Sequence, residues 1–229
     1  MGLDIQYIFR FTDGREASFA IRLDAVSLES TAPVSANAAA WTRLAFHRCS
    51  HCPLDESLHP HCPLARSLVG TVAVLGDVLS YDQVATEVIT PERRILCDTS
   101  AQNAISAMMG LIIATSGCPH MAFFKPMARF HLPFASEEET MYRAASMYLL
   151  GQYFRQQQGL PTELGFEGLV HLYRNVEIVN RAMANRLRAA AREDGTVNAL
   201  VLLDMYAKTL PAVVEETLQE LRPLYTAYL

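Results

Sequence analysis

The sequence lacks most of the features that would place it outside the ordinary globular classes. Five cysteines in 229 residues are too few for a small fold built on disulfides. No apolar h-region follows the N-terminus, where Asp4 and Arg10 fall within the first ten residues. The chain therefore does not read as carrying a secretory signal, and a cytoplasmic location is expected. Its two most apolar stretches, residues 68–79 and 105–115, are far shorter than the ~20 residues of a membrane-spanning helix. Both read as buried helices, and no membrane partner is expected. Positive charge is not in excess: a net charge of −5 gives no overall attraction to phosphate backbones. Arg181, Arg186, Arg188 and Arg192 cluster on one helix without the aromatic or donor residues of a nucleic-acid stripe. They read as a solvated face complementing a helix C-terminal dipole. Also missing are a phosphate-binding glycine loop, a nucleophile elbow, an H-E-x-x-H signature and the Glu-x-x-His pairs of a di-iron bundle.

What is present is a chain with 51% hydrophobic residues, long enough for a real core and too apolar to be disordered. Ile5, Tyr7, Phe9 and Phe11 alternate with polar residues, Asp13-Gly14 interrupts, and Phe19, Ile21 and Leu23 alternate again. Period 2 on both sides of an Asp-Gly turn predicts a hairpin. Residues 27–40 are rich in Ser, Ala and Pro and resemble a linker; 64–80 read as one helix, weakened by Gly70 and Gly76. A second hairpin is expected from 84–89 and 93–97, turning at Thr90-Pro91-Glu92, and the two hairpins are expected to form one sheet.

From Ser100 the pattern is helical. A helix over 101–115 stops at Ser116-Gly117, and an irregular loop with three prolines fills 118–135. Ser136 and Glu139 form a capping box, which starts a helix running to about Gln158. Phe166, Leu169, Tyr173, Val176, Met183 and Leu187 mark the next helix, and a last one begins near Thr196, with Pro211 expected to kink or restart it. The fold class is α+β: a small antiparallel sheet from two hairpins and a zinc knuckle in residues 1–99, packed on a helical bundle in 100–229.

His47, Cys49, His51, Cys52, His59, His61 and Cys62 lie within sixteen residues. Cys49-x2-Cys52 and His59-x2-Cys62 are two short hooks able to present four ligands to one tetrahedral zinc. Cys49, Cys52, His59 and Cys62 are the favoured set for a structural zinc. His61, His47 or Cys97 can replace His59, because spacing does not fix the fourth ligand. Cys49-Ser-His-Cys52 also looks like a thioredoxin-type C-x-H-C centre. The helix and βαβ context of that family are missing, since three prolines fall within 53–63.

A second constellation lies in the loop after residue 115. Cys118, His120, Arg129 and His131, followed by Glu139 and Arg143, include a thiol with histidine neighbours, an arginine for an anion and groups for proton transfer. The plainer alternative packs Cys118 and His131 in the interior and pairs Arg129 with a carboxylate. Asn180 and Asp204 sit at or beside apolar helix faces, where burial requires a hydrogen bond; a polar pocket with Arg129 or Arg143 would supply one.

Cys49-Ser-His-Cys-Pro-Leu, His61-Cys-Pro-Leu-Ala, Ser116-Gly-Cys-Pro, Phe130-His-Leu-Pro-Phe and Met147-Tyr-Leu-Leu together resemble an uncharacterised bacterial family, a domain of unknown function. The resemblance covers most of the chain and brings no activity or catalytic residues with it. The leading expectation is a zinc-stabilised binding or regulatory protein, homodimeric through its apolar helices, with a small anionic ligand or a protein as partner. The first alternative is an enzyme acting on a small anionic substrate through Cys118, Arg129 and His131. The second is a thiol oxidoreductase using Cys49 and Cys52. Convergence of Cys118, Arg129 and His131 on an open pocket favours an enzyme; their dispersal, with an exposed apolar helix face, favours a binding module.

Overall fold

Strands β1 (Gly2–Phe11) and β2 (Glu16–Asp24) form the expected hairpin in this computed structural model, which describes residues 2–31 and 39–229. Leu3, Ile5, Tyr7, Phe9 and Phe11 are buried while Asp4, Gln6 and Arg10 between them are exposed. Gly14 takes a φ of +87° at the turn, a value glycine adopts without a Cβ clash. The second hairpin, β3 (Gln83–Ile89) and β4 (Arg94–Ser100), joins the first in one antiparallel sheet of order β2-β1-β3-β4. Tyr7 stands opposite Phe19 on one side and Val88 on the other. Glu87 is buried and held between Arg94 and Arg10; these two arginines, Arg94 foremost, lower its pKa below the usual carboxylate value.

Local signals give way to tertiary contacts in three places. The single helix expected over 64–80 is two, α1 (Pro63–Ser67) and α2 (Val69–Leu75), ending at Gly76. The Gly76 carbonyl, at the end of α2, accepts the amides of Arg192 and Glu193. Part of the expected linker is also ordered: Leu28 is buried, and Ser30 bridges Leu23. Residues 32–38 of that stretch lie outside the described residues. The loop at 118–135 is not irregular throughout, since it contains a 3-10 turn (Ala122–Phe124) and α4 (Lys125–Arg129). Pro126 sits in the first turn of α4, where its missing N–H costs nothing.

The helical region follows its signals more closely. Helix α3 (Ala101–Ala114) packs on β3 and β4 and against α7, and Gly117, at φ +80°, follows its end. Helix α5 (Glu137–Gln157) starts on the complete capping box: the Ser136 hydroxyl accepts the Glu139 amide at 3.1 Å, and the Glu139 carboxylate accepts the Ser136 amide at 2.7 Å. Helix α6 (Glu167–Ala190) leads to α7 (Gly195–Leu221), which continues through Pro211 without the expected restart. Losing one amide donor does not end a helix whose other turns are packed. The stretch Gly195–Val214 is apolar and long enough, by length and composition alone, to cross a membrane. Here α7 packs on α3 and α6, burying Leu200, Ala207 and Leu210. One hydrophobic cluster runs from Leu3 to Val214 and spans the 99/100 division.

Candidate functional site

The cysteine hooks fold as tight turns. The Cys52 amide donates to the Cys49 carbonyl at 3.1 Å, and the Cys62 amide donates to Thr42 at 2.8 Å as Cys62 caps α1. Residues 116–120 close over them. A Cβ on Gly117 would meet the Pro63 Cβ at 3.8 Å, and the His120 ring stacks on His51 at 3.8 Å with 9° between planes. His120 donates through Nε2 to the His51 carbonyl at 3.0 Å, and His51 donates through Nε2 to the Asn175 carbonyl at 3.1 Å. The buried His51 Nδ1 has no partner among the described residues.

Cys118, buried, thus joins Cys49, Cys52 and Cys62 rather than the cavity described below. Burial, then the neighbouring Cys62, Cys118 and Cys52, pushes the Cys49 thiol up to about 12; burial pushes Cys118 up to about 11. A thiol nucleophile needs its pKa lowered. His59 is exposed with its amide on the Asp55 carbonyl, His61 Nδ1 lies 2.9 Å from the Thr42 hydroxyl, and His47 is exposed beside Phe46. Cys97 faces the cavity from β4. Among the described residues no three His, Cys, Asp or Glu side chains stand as a formed metal shell.

Arg186 corrects the solvated-face reading. Arg181, Arg188 and Arg192 are exposed, but Arg186 is 1% exposed. It donates to the carbonyls of Trp41 at 2.7 Å, Arg43 at 2.8 Å and Leu44 at 3.0 Å. It makes no salt bridge among the described residues, and it lies within electrostatic range of the thiols of Cys62, Cys49 and Cys52. Its position was readable in principle: it falls three residues after Met183, on the stripe that carries Tyr173, Val176 and Met183 inward.

A cavity of about 500 Å³ lies between β4, α3, residues 121–135, α5, α6 and α7. Its wall is mostly apolar, with Arg143, His131, Asn180 and Tyr173 among its polar groups. Arg143 uses one terminal nitrogen on the carbonyls of Met127 and Phe130, both at 2.9 Å, and pairs with no carboxylate among the described residues. Burial lowers its pKa. Asn180 is 3% exposed and its Nδ2 has no partner among the described residues. His131 Nε2 lies 2.5 Å from the Tyr7 hydroxyl. Burial raises the Tyr7 pKa well above its ordinary value. Burial, and then Arg143, lower His131 to about 4.

The remaining nominated residues lie apart from this cavity. Arg129 lines a smaller crevice of about 230 Å³ that also touches His131, with its guanidinium over the Phe130 ring. Glu139 is used in the capping box. Asp204 pairs with Lys208, and its buried Oδ1 has no partner among the described residues. Arg143, Asn180 and His131 meet in one cavity, whereas Cys118 and Arg129 do not line it.

No curated protein and no solved structure matches the chain. A family model described as "Domain of unknown function (DUF6901)" matches residues 5–226. The match covers nearly the whole chain, which therefore belongs to that family.

Proposed function

We propose that this protein is a binding protein whose cavity takes a small ligand with an apolar body and one anionic end, a carboxylate being the simplest case. The observation that carries this reading is Arg143, a half-buried cation that makes no salt bridge among the described residues, Glu139 acting on it only at longer range, in the wall of a largely apolar cavity. A buried charge calls for a counter-charge, and a planar guanidinium suits a carboxylate. Asn180 adds an unused buried N–H donor to the same wall. The volume of about 500 Å³ is in the ordinary range for small-molecule sites.

Dispersal of Cys118, Arg129 and His131 favours binding over catalysis through that trio. So do the exposed Tyr153 and Phe154 on α5, which leave apolar surface available to a partner. No helix starts at Cys49 or Cys52, since α1 begins only at Pro63, so the helix dipole that activates a dithiol exchange centre is missing. The test is calorimetric titration with aliphatic carboxylates and with primary alcohols and amines of the same chain length. The expected result is selective binding of the carboxylate, weakened about 10- to 100-fold by Arg143→Met. Equal affinity for the alcohol, or an Arg143→Met protein that binds carboxylate unchanged, would overturn the reading.

A further inference from the structure

The cysteine cluster is a second centre, separate from the cavity. Cys49 and Cys52 come from one turn, Cys62 from the start of α1, and Cys118 from the segment after α3. Cys118 is flanked by two neighbourhoods that join this segment to the hooks: Gly117, where an added Cβ would reach Pro63 beside Cys62, and His120, stacked on His51 beside Cys52. We propose that Cys49, Cys52, Cys62 and Cys118 hold one zinc ion as a four-thiolate site, with the Arg186 guanidinium as its charge partner.

The charge arithmetic explains why an arginine is buried here. Zinc displaces four thiol protons, so a site that was neutral with four thiols becomes 2− with the metal bound. Arg186 is fixed by three backbone carbonyls, lies within electrostatic range of Cys62, Cys49 and Cys52, and makes no salt bridge among the described residues. It brings the local charge to 1−. A cation so placed without an anion is costly; beside a zinc tetrathiolate it is compensated. The two histidines tie the hooks to the segment after α3: each donates Nε2–H to a backbone carbonyl, and their rings stack. Proline follows Cys52, Cys62 and Cys118 and stiffens each hook by fixing φ. Among the described residues the thiols do not stand as a closed shell; a bound zinc would draw the sulfurs to about 2.3 Å. Four protein ligands leave no open position, so the ion is structural. Its effect is to lock residues 116–120 to the hooks, just before Met121, which lines the cavity.

The experiment uses the full chain purified without an affinity tag or added metal. Metal content, chelator competition and the cobalt(II)-substituted absorption spectrum are measured for the wild type and three variants. The expected wild type carries one zinc per chain and gives a four-thiolate cobalt spectrum. Cys118→Ser is expected to lose at least about tenfold in affinity. Cys118→His, which keeps a fourth ligand if Cys118→Ser fails to fold, is expected to retain the metal and move the sulfur-to-cobalt band. His59→Ala is expected to leave spectrum and affinity unchanged. Absence of bound zinc, an iron–sulfur chromophore in its place, or a cobalt spectrum that responds to His59→Ala and not to Cys118→His would overturn the proposal.

Discussion

Replacing Arg186 by methionine tests how the N-terminal region is tied to the bundle. Methionine retains much of the side-chain volume but removes every donor. Three carbonyls, those of Trp41, Arg43 and Leu44, then lose hydrogen bonds of 2.7 to 3.0 Å in a stretch where Thr42 and Leu44 are at most 1% exposed. Hydrogen bonds to a charged group contribute about 1.5–3 kcal/mol each. Partial access of water to the freed carbonyls brings the expected total to about 3–5 kcal/mol. For a chain of this size that lowers Tm by roughly 6–20 °C. Arg186→Lys should fall between, because one ammonium cannot reproduce the fork of a guanidinium. Arg188→Met, on the exposed face of the same helix, should stay within about 0.5 kcal/mol of wild type. Denaturant unfolding followed by circular dichroism, after treatment with chelator so that metal binding does not contribute, measures all three. If Arg186→Met falls within about 1 kcal/mol of Arg188→Met, the clamp has been misread.

Two further outcomes follow from single groups. His131 has its pKa lowered to about 4 in the fold, against about 6.5 in an unfolded chain. Protonation therefore favours the unfolded state, and stability present above pH 6.5 should decline by about 3 kcal/mol as pH falls towards 4. His131→Gln, whose amide reaches about as far as Nε2 and does not titrate, should flatten that part of the stability-against-pH curve; an unchanged slope would contradict the assignment. Ser136→Ala removes one half of the capping box and should cost about 1 kcal/mol, read as a fall of roughly 2–4 °C in Tm.

The hairpins and the capped start of α5 were legible because each rests on a local pattern. Tyr7 and Phe9 alternate with polar neighbours whatever the strand pairs with, and Ser136 needs only Glu139 to make its cap. The Pro126 that starts α4 was a local signal too, hidden within an expected loop. Cys118 was seen as a thiol with histidine neighbours, but its company was set by how α3 returns the chain to the hooks, which no spacing records. Arg186 lay on a buried stripe, yet its charge type argued for the surface; only the three carbonyls at 41–44 explain why it is inside. The cavity was the least legible part. Arg143 and Asn180 could be nominated one at a time, but an unfilled volume depends on what every surrounding side chain fails to reach.

The position of β1 between β2 and β3 also sets a schedule for synthesis. Its first edge can pair as soon as β2 emerges from the ribosome, while its second edge waits for Gln83–Ile89. At about 5–20 residues per second, that interval lasts roughly 3–15 s. Throughout it the nascent hairpin offers an unpaired edge beside the apolar row of Ile5, Tyr7 and Phe9, the kind of template on which chains join one another. Substitutions in β1 are therefore expected to change the yield of intact protein before they register in the stability of the finished fold.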